Sequence, residues 1–124
     1  MTFHAPLASL ALVSLLLAQP ALAQRSLDIH ARTAGDLADL CGANPKDPAG
    51  EAKINYCHGF TQGAVDVQLR VAGDKKPFCF PTPAPTRTAT LGEFVSWVRA
   101  VPSRRGESAL DGFFHFLAER FPCK

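Results

Sequence analysis

The chain has 124 residues, 47% of them hydrophobic, and its 13 Lys and Arg against 11 Asp and Glu give a formal net charge of +2. So small an excess excludes nucleic-acid binding or strong attraction to an acidic membrane as the organising principle. Four cysteines, Cys41, Cys57, Cys79 and Cys123, are the most informative part of the composition.

The first predicted element is a leader. Leu7 to Leu17 is a run of Leu, Ala, Val and Ser that suits the apolar centre of a signal peptide and is too short to span a bilayer. Small residues at Ala21 and Ala23 place the cut before Gln24, and because Gln24 is not a cysteine no lipid anchor is expected. No later apolar stretch reaches the ~20 residues of a membrane-spanning helix. Residues 1–23 are therefore read as a cleaved signal peptide, 24–32 as a flexible arm and 33–124 as one helical domain, soluble in the periplasm. In that oxidising compartment an even number of thiols in about 100 residues forms a disulfide framework.

Thr33 and Asp36 have the spacing of a capping box, and Leu37, Leu40 and Cys41 follow at helical intervals, which predicts a short first helix ending at Gly42. Asp47 as N-cap and Pro48 at the first helical position open a second helix over about residues 48–72. One apolar row on it is Tyr56, Phe60, Ala64, Val67 and Val71; a second is Ile54, Thr61, Val65 and Leu69. So wide an apolar arc predicts a central helix touched on two sides. Gly59, Phe60 and Gly63 form a surface that another backbone can approach closely, as intramolecular helix packing or as a dimer contact. Pro77, Pro81, Pro83 and Pro85 keep the following stretch out of helix and central strand. Thr90 and Glu93 offer another capping box for a third helix carrying Leu91, Phe94, Val95 and Val98, closed by Pro102. A last helix over about 106–121 is expected to bury Leu110, Phe113, Phe114, Leu117 and Phe121, with Phe116 off that face, as Trp97 is off the face of the third helix.

The resulting fold is all-α, a small four-helix bundle stapled by disulfides. Four cysteines allow three connectivities. The short link from Pro102 to Arg105 makes an antiparallel hairpin of the last two helices, bringing Cys79 near Cys123. The first helix, folding back on the second, sets Cys41 beside Cys57, so these two pairs are favoured.

Catalytic signatures are missing. The cysteines lack the close pairs of a structural zinc site, and His58, although next to Cys57, points about 100° away from it on a helix. His58 and His115 read as surface or boundary residues, and Asp36, Asp39 and Asp66 as polar-face carboxylates. No phosphate-binding glycine loop, G-x-S-x-G or H-E-x-x-H is present. The expected protein is not an enzyme and needs no metal or cofactor.

Four segments taken in order are more specific: Leu37-x-x-Leu40-Cys41, Tyr56-Cys57-x-Gly59-Phe60-x-x-Gly63, Phe78-Cys79-Phe80-Pro81 and Phe121-Pro122-Cys123. Together they resemble the Rap/Tai family, immunity proteins linked to type VI secretion amidase effectors, over about residues 33–124. The resemblance implies a small helical periplasmic protein, often a homodimer, that inhibits a peptidoglycan amidase by occluding its active-site groove. Contact residues are sought first in the loop cations Lys75, Lys76, Arg104 and Arg105 with the aromatics Trp97 and Phe116, since inhibitors act through loops on a rigid frame and aromatic and Arg anchors dominate interfaces. The alternatives are a periplasmic acid-stress chaperone and a stand-alone envelope-binding protein with no cognate toxin.

Overall fold

The computed structural model describes Met1 and residues 28–124, so the expected signal peptide and residues 24–27 of the arm lie outside the described residues. Thr33 starts α1 (Ala34–Cys41) as expected. Its hydroxyl accepts from the Asp36 amide at 3.1 Å, and the Asp36 carboxylate accepts from the amides of Thr33 at 3.0 Å and Arg32 at 3.1 Å. This reciprocal box satisfies amides that the first helical turn leaves free. It also holds the Asp36 carboxyl below the ordinary aspartate range, the Thr33 amide and hydroxyl being the main causes.

The second helix, α2 (Gly50–Ala72), begins later than its sequence implied. Asn44 Oδ1 accepts from the Lys46 amide at 3.0 Å, and the Asp47 amide and carbonyl are engaged by Asn44 and Gly50 in successive turns. Asn44 makes the Asx turn, Asp47 closes the backbone turn that starts at Asn44, and Asp47 does not cap the helix. The cap position falls to Ala49, at φ 61° with no side-chain cap bond. Gly50 is required here, because a Cβ on it would lie 1.9 Å from the Asn44 carbonyl oxygen.

The third helix, α3 (Arg87–Ala100), starts a turn earlier than expected. Thr86 is the first residue after the run of prolines, and its hydroxyl accepts from the Ala89 amide at 3.2 Å. The Thr90–Glu93 box therefore does not form: Thr90 is buried inside the helix, and Glu93 pairs with Arg120. The apolar stripe Leu91, Phe94, Val95 and Val98 is buried as read from the sequence. After a 3-10 turn (Pro102–Gly106), Ser108 caps α4 (Ala109–Arg120), accepting from the Asp111 amide at 3.2 Å.

Four α-helices thus make the fold, with no strand among the described residues. No described helix is long and apolar enough to cross a membrane. The central element is α1, the shortest helix, and not α2. It touches α2, α3, the 3-10 turn and α4, whereas α2 meets the helical frame chiefly through α1. Ala34, Leu37 and Ala38 are fully buried, while on the far longer α2 only Gly50, Cys57 and Thr61 are buried at all deeply. Val67 and Val71, on the row expected to pack, are 63% and 78% exposed. Ile29 and Ala31 pack against the core, so the last residues of the arm are docked.

Residues 32–34 and 107–109 join α1 to α4. The Ala34 amide donates to the Glu107 carbonyl at 2.9 Å and the Ala109 amide to the Arg32 carbonyl at 3.0 Å, around an isolated Thr33–Ser108 bridge. Gly112 sits where a Cβ would come within 2.5 Å of the Ala34 Cβ. The buried stripe of α4 is accordingly Ala109, Gly112, Phe113, Phe116 and Leu117. It is rotated from the expected one, leaving Leu110 44% exposed and Phe116 3%.

Disulfides Cys41–Cys57 and Cys79–Cys123, with Cα atoms 5.2 and 4.9 Å apart, fasten α1 to α2 and the α2–α3 loop to the C-terminus. Beside the second, the Cys79 amide donates to the Phe121 carbonyl at 2.8 Å, and Phe78 is fully buried.

Two glycine substitutions should shift stability in opposite directions. Gly112→Ala forces α1 and α4 apart and should cost about 1–3 kcal/mol, whereas Gly92→Ala, whose Cβ meets nothing within 4 Å, should add about 0.5–1 kcal/mol through helix propensity. Urea denaturation of the oxidised protein reads both; a neutral Gly112→Ala would mean the α1–α4 seam is loose.

Candidate functional site

The residues expected to bind a partner occupy three separate places. Lys75 and Lys76 are exposed in the loop after α2, where the Lys76 carbonyl lies 3.5 Å from Cys123 Sγ. Arg104 and Arg105 lie at the other end of the α3–α4 hairpin. Arg105 turns towards α1, donating to both oxygens of Asp39 at 2.7 and 3.3 Å, and this carboxylate raises its pKa. Phe116, expected as an exposed aromatic, is a core residue packed on Phe94 and Trp97, with ring centroids at 5.6 and 5.9 Å.

Arg104 and Trp97, by contrast, meet in a built cluster. The Arg104 guanidinium lies 3.8 Å from the indole centroid, in cation–π contact. Its Nη1 donates to the Trp97 carbonyl at 2.8 Å, satisfying an acceptor near the C-terminal end of α3. The indole Nε1 donates to Glu119 Oε2 at 2.6 Å. One helical turn back on α4, His115 stands edge-on to the indole with centroids 5.0 Å apart. Its Nε2 is 3.0 Å from Glu119 Oε1 and its Nδ1 3.2 Å from Glu107 Oε2. The Glu119 carboxyl is held below the ordinary glutamate range, first by the indole N–H and then by the positive charges of His115 and Arg104. Trp97 and Arg104, both singled out from the sequence, are in contact here, whereas Glu119 and the position of His115 beside them are not evident from it. The available signal was the i,i+4 spacing of His115 and Glu119 on one face of α4.

Gly59, Phe60 and Gly63 lie on a different face. With Ala64, Val67 and Gln68 of α2 and Leu110 and Phe114 of α4 they line a shallow apolar groove. A Cβ on either glycine would meet nothing within 4 Å, so the expected close intramolecular packing at these positions does not occur.

The arrangement is suited to recognition. All four cysteines are bridged, and among the described residues no group of three or more His, Cys, Asp or Glu converges as a metal site. The Trp97 cluster joins a half-buried indole, a cation and a carboxylate, each held by neighbours, which limits the side-chain entropy lost on binding.

Because the folded-state pKa of Glu119 is depressed, its contribution is present above the unfolded pKa and is lost as pH falls through the depressed folded value. Trp97 is the one tryptophan in the chain, so its fluorescence should change in an acid titration with a midpoint below the usual glutamate range, and Glu119→Gln should abolish that step. An unchanged step in the variant would assign it to another group.

No curated protein and no solved structure matches this chain. A family model does: Rap1a immunity proteins, over residues 33–123. This span contains all four helices, both disulfides and the Trp97 cluster. The chain belongs to the Rap1a immunity protein family.

Proposed function

We propose that this protein is exported, sheds residues 1–23, and in the periplasm binds a peptidoglycan amidase delivered by type VI secretion, covering its active-site groove. The observation that carries this reading is the family match across residues 33–123. The scaffold is consistent with it: an inhibitor must present a surface that keeps its shape, and two disulfides fasten the frame that carries the Trp97 cluster. In this reading Trp97 and Arg104 anchor the contact, and inhibition is by occlusion alone, with no cofactor.

A second copy of the chain fits the other face. The α2–α4 groove combines two glycines that have open space above them with the exposed side chains of Val67 and Leu110. Helix backbones from two protomers can approach closely there, giving a homodimer that leaves the Trp97 cluster free.

Binding is tested by mixing oxidised protein with a purified type VI secretion peptidoglycan amidase from the same genome and following release of peptidoglycan fragments. One equivalent should inhibit fully, and Trp97→Ala or Arg104→Ala, checked by circular dichroism for retained fold, should weaken inhibition by about tenfold or more. Full amidase activity in excess oxidised protein would contradict the proposal. Sedimentation equilibrium tests the dimer: Val67→Lys should yield monomer, and a dimer that survives this change must use another face.

A further inference from the structure

A third surface feature lies apart from both the Trp97 cluster and the α2–α4 groove. Between α2, the proline-rich loop, α3 and α4 is a cleft of about 270 Å³. This is near the lower end of small-molecule sites, roughly 300–1,000 Å³. Its walls are Val65, Phe80, Pro85, Leu91, Phe113 and Leu117.

Two hydroxyls face this space, and both are already used. Thr61 Oγ1 donates to the Cys57 carbonyl at 2.8 Å and Thr90 Oγ1 to the Thr86 carbonyl at 3.1 Å, each within its own helix. The interior therefore has no free hydroxyl proton to offer, and a ligand's buried portion must be apolar. At the mouth the chemistry changes. Arg87 Nη2 donates to Gln62 Oε1, while Gln62 Nε2 donates to Asp66 Oδ1 at 2.7 Å, which fixes the amide and hence its contact with Arg87. Among the described residues Arg87 has no carboxylate within ion-pairing distance. A guanidinium carries five N–H donors in a planar fork matched to a carboxylate, and four of these remain beyond the Gln62 bond.

An apolar cleft with one exposed guanidinium at its mouth fits a molecule with a single apolar tail and a single anionic end. We propose that this cleft binds a medium-chain monocarboxylate, its tail against Phe80, Leu91, Phe113 and Leu117 and its carboxylate on Arg87. The small volume excludes a two-tailed lipid.

The test is a two-dimensional amide NMR titration of the oxidised protein with sodium octanoate, 1-octanol and sodium acetate. Octanoate should shift the Val65, Phe80 and Leu91 amides saturably; octanol should bind the same residues about tenfold more weakly, and acetate should leave them unmoved. Arg87→Met should bring octanoate down to the affinity of octanol without altering octanol, and Val65→Trp, which fills the cleft from half-exposed α2, should abolish both. Octanoate that fails to saturate, saturates at other residues, or binds Arg87→Met as tightly as wild type would overturn the proposal. Loss of the alcohol's binding in Arg87→Met would do the same, since the side chain would then be shaping the cleft and not pairing with the carboxylate.

Discussion

The burial of α1 is the constraint on which the other elements depend. Eight residues are too few to hold a helix in water unaided, so α1 is stable only because every neighbour covers it. Its capping box fixes the entry, the paired amides around Thr33 and Ser108 fix α4 beside it, and the Cys41–Cys57 disulfide fixes α2. Leu37 at its centre is fully buried, worth about 1.5–3 kcal/mol for a side chain of this kind. In the loop-entropy description the two bridges restrict the unfolded chain by about 3 and 4 kcal/mol, large amounts for a domain whose core is this thin.

That architecture divides the surface into distinct tasks. The α3–α4 hairpin is cross-braced by Glu93–Arg120 and by the Trp97–Glu119 hydrogen bond, so its outer face is preset. The 23-residue α2 is different, because one disulfide and the half-buried Tyr56, Phe60, Val65 and Leu69 secure one side of it while Val67 and Val71 project into solvent on the other. An exposed apolar face on an otherwise stapled protein is where association is expected. The preset polar–aromatic face and the apolar one are the surfaces on which the proposed partner binding and the proposed self-association respectively rest.

Local chemistry made part of this legible from sequence, and long-range packing hid the rest. The Thr33–Asp36 box and the α3 stripe depend on residues within two turns of each other, and both were readable. The row through Val67 and Val71 shows why periodicity is incomplete: it identifies residues that share a face without telling whether a neighbour covers that face. On α4, Gly112 carries no hydrophobic signal although it marks the closest approach to α1, so the buried stripe was centred wrongly and Phe116 was placed outside. Asp47 was misread because Asn44 claims the same few residues for a turn. Trp97 stood out as an off-stripe aromatic, but its partners Arg104, His115 and Glu119 come together only when the hairpin closes.

Native-state hydrogen exchange on a Cys41→Ala/Cys57→Ala double variant addresses the central claim most directly, that α1 holds the fold together and that this disulfide is what ties α2 to it. The expected result is a large loss of protection along α2 with the α3–α4 hairpin, still closed by Cys79–Cys123, far less affected. Wild-type protection along α2 in that variant, with no change in global stability, would contradict it.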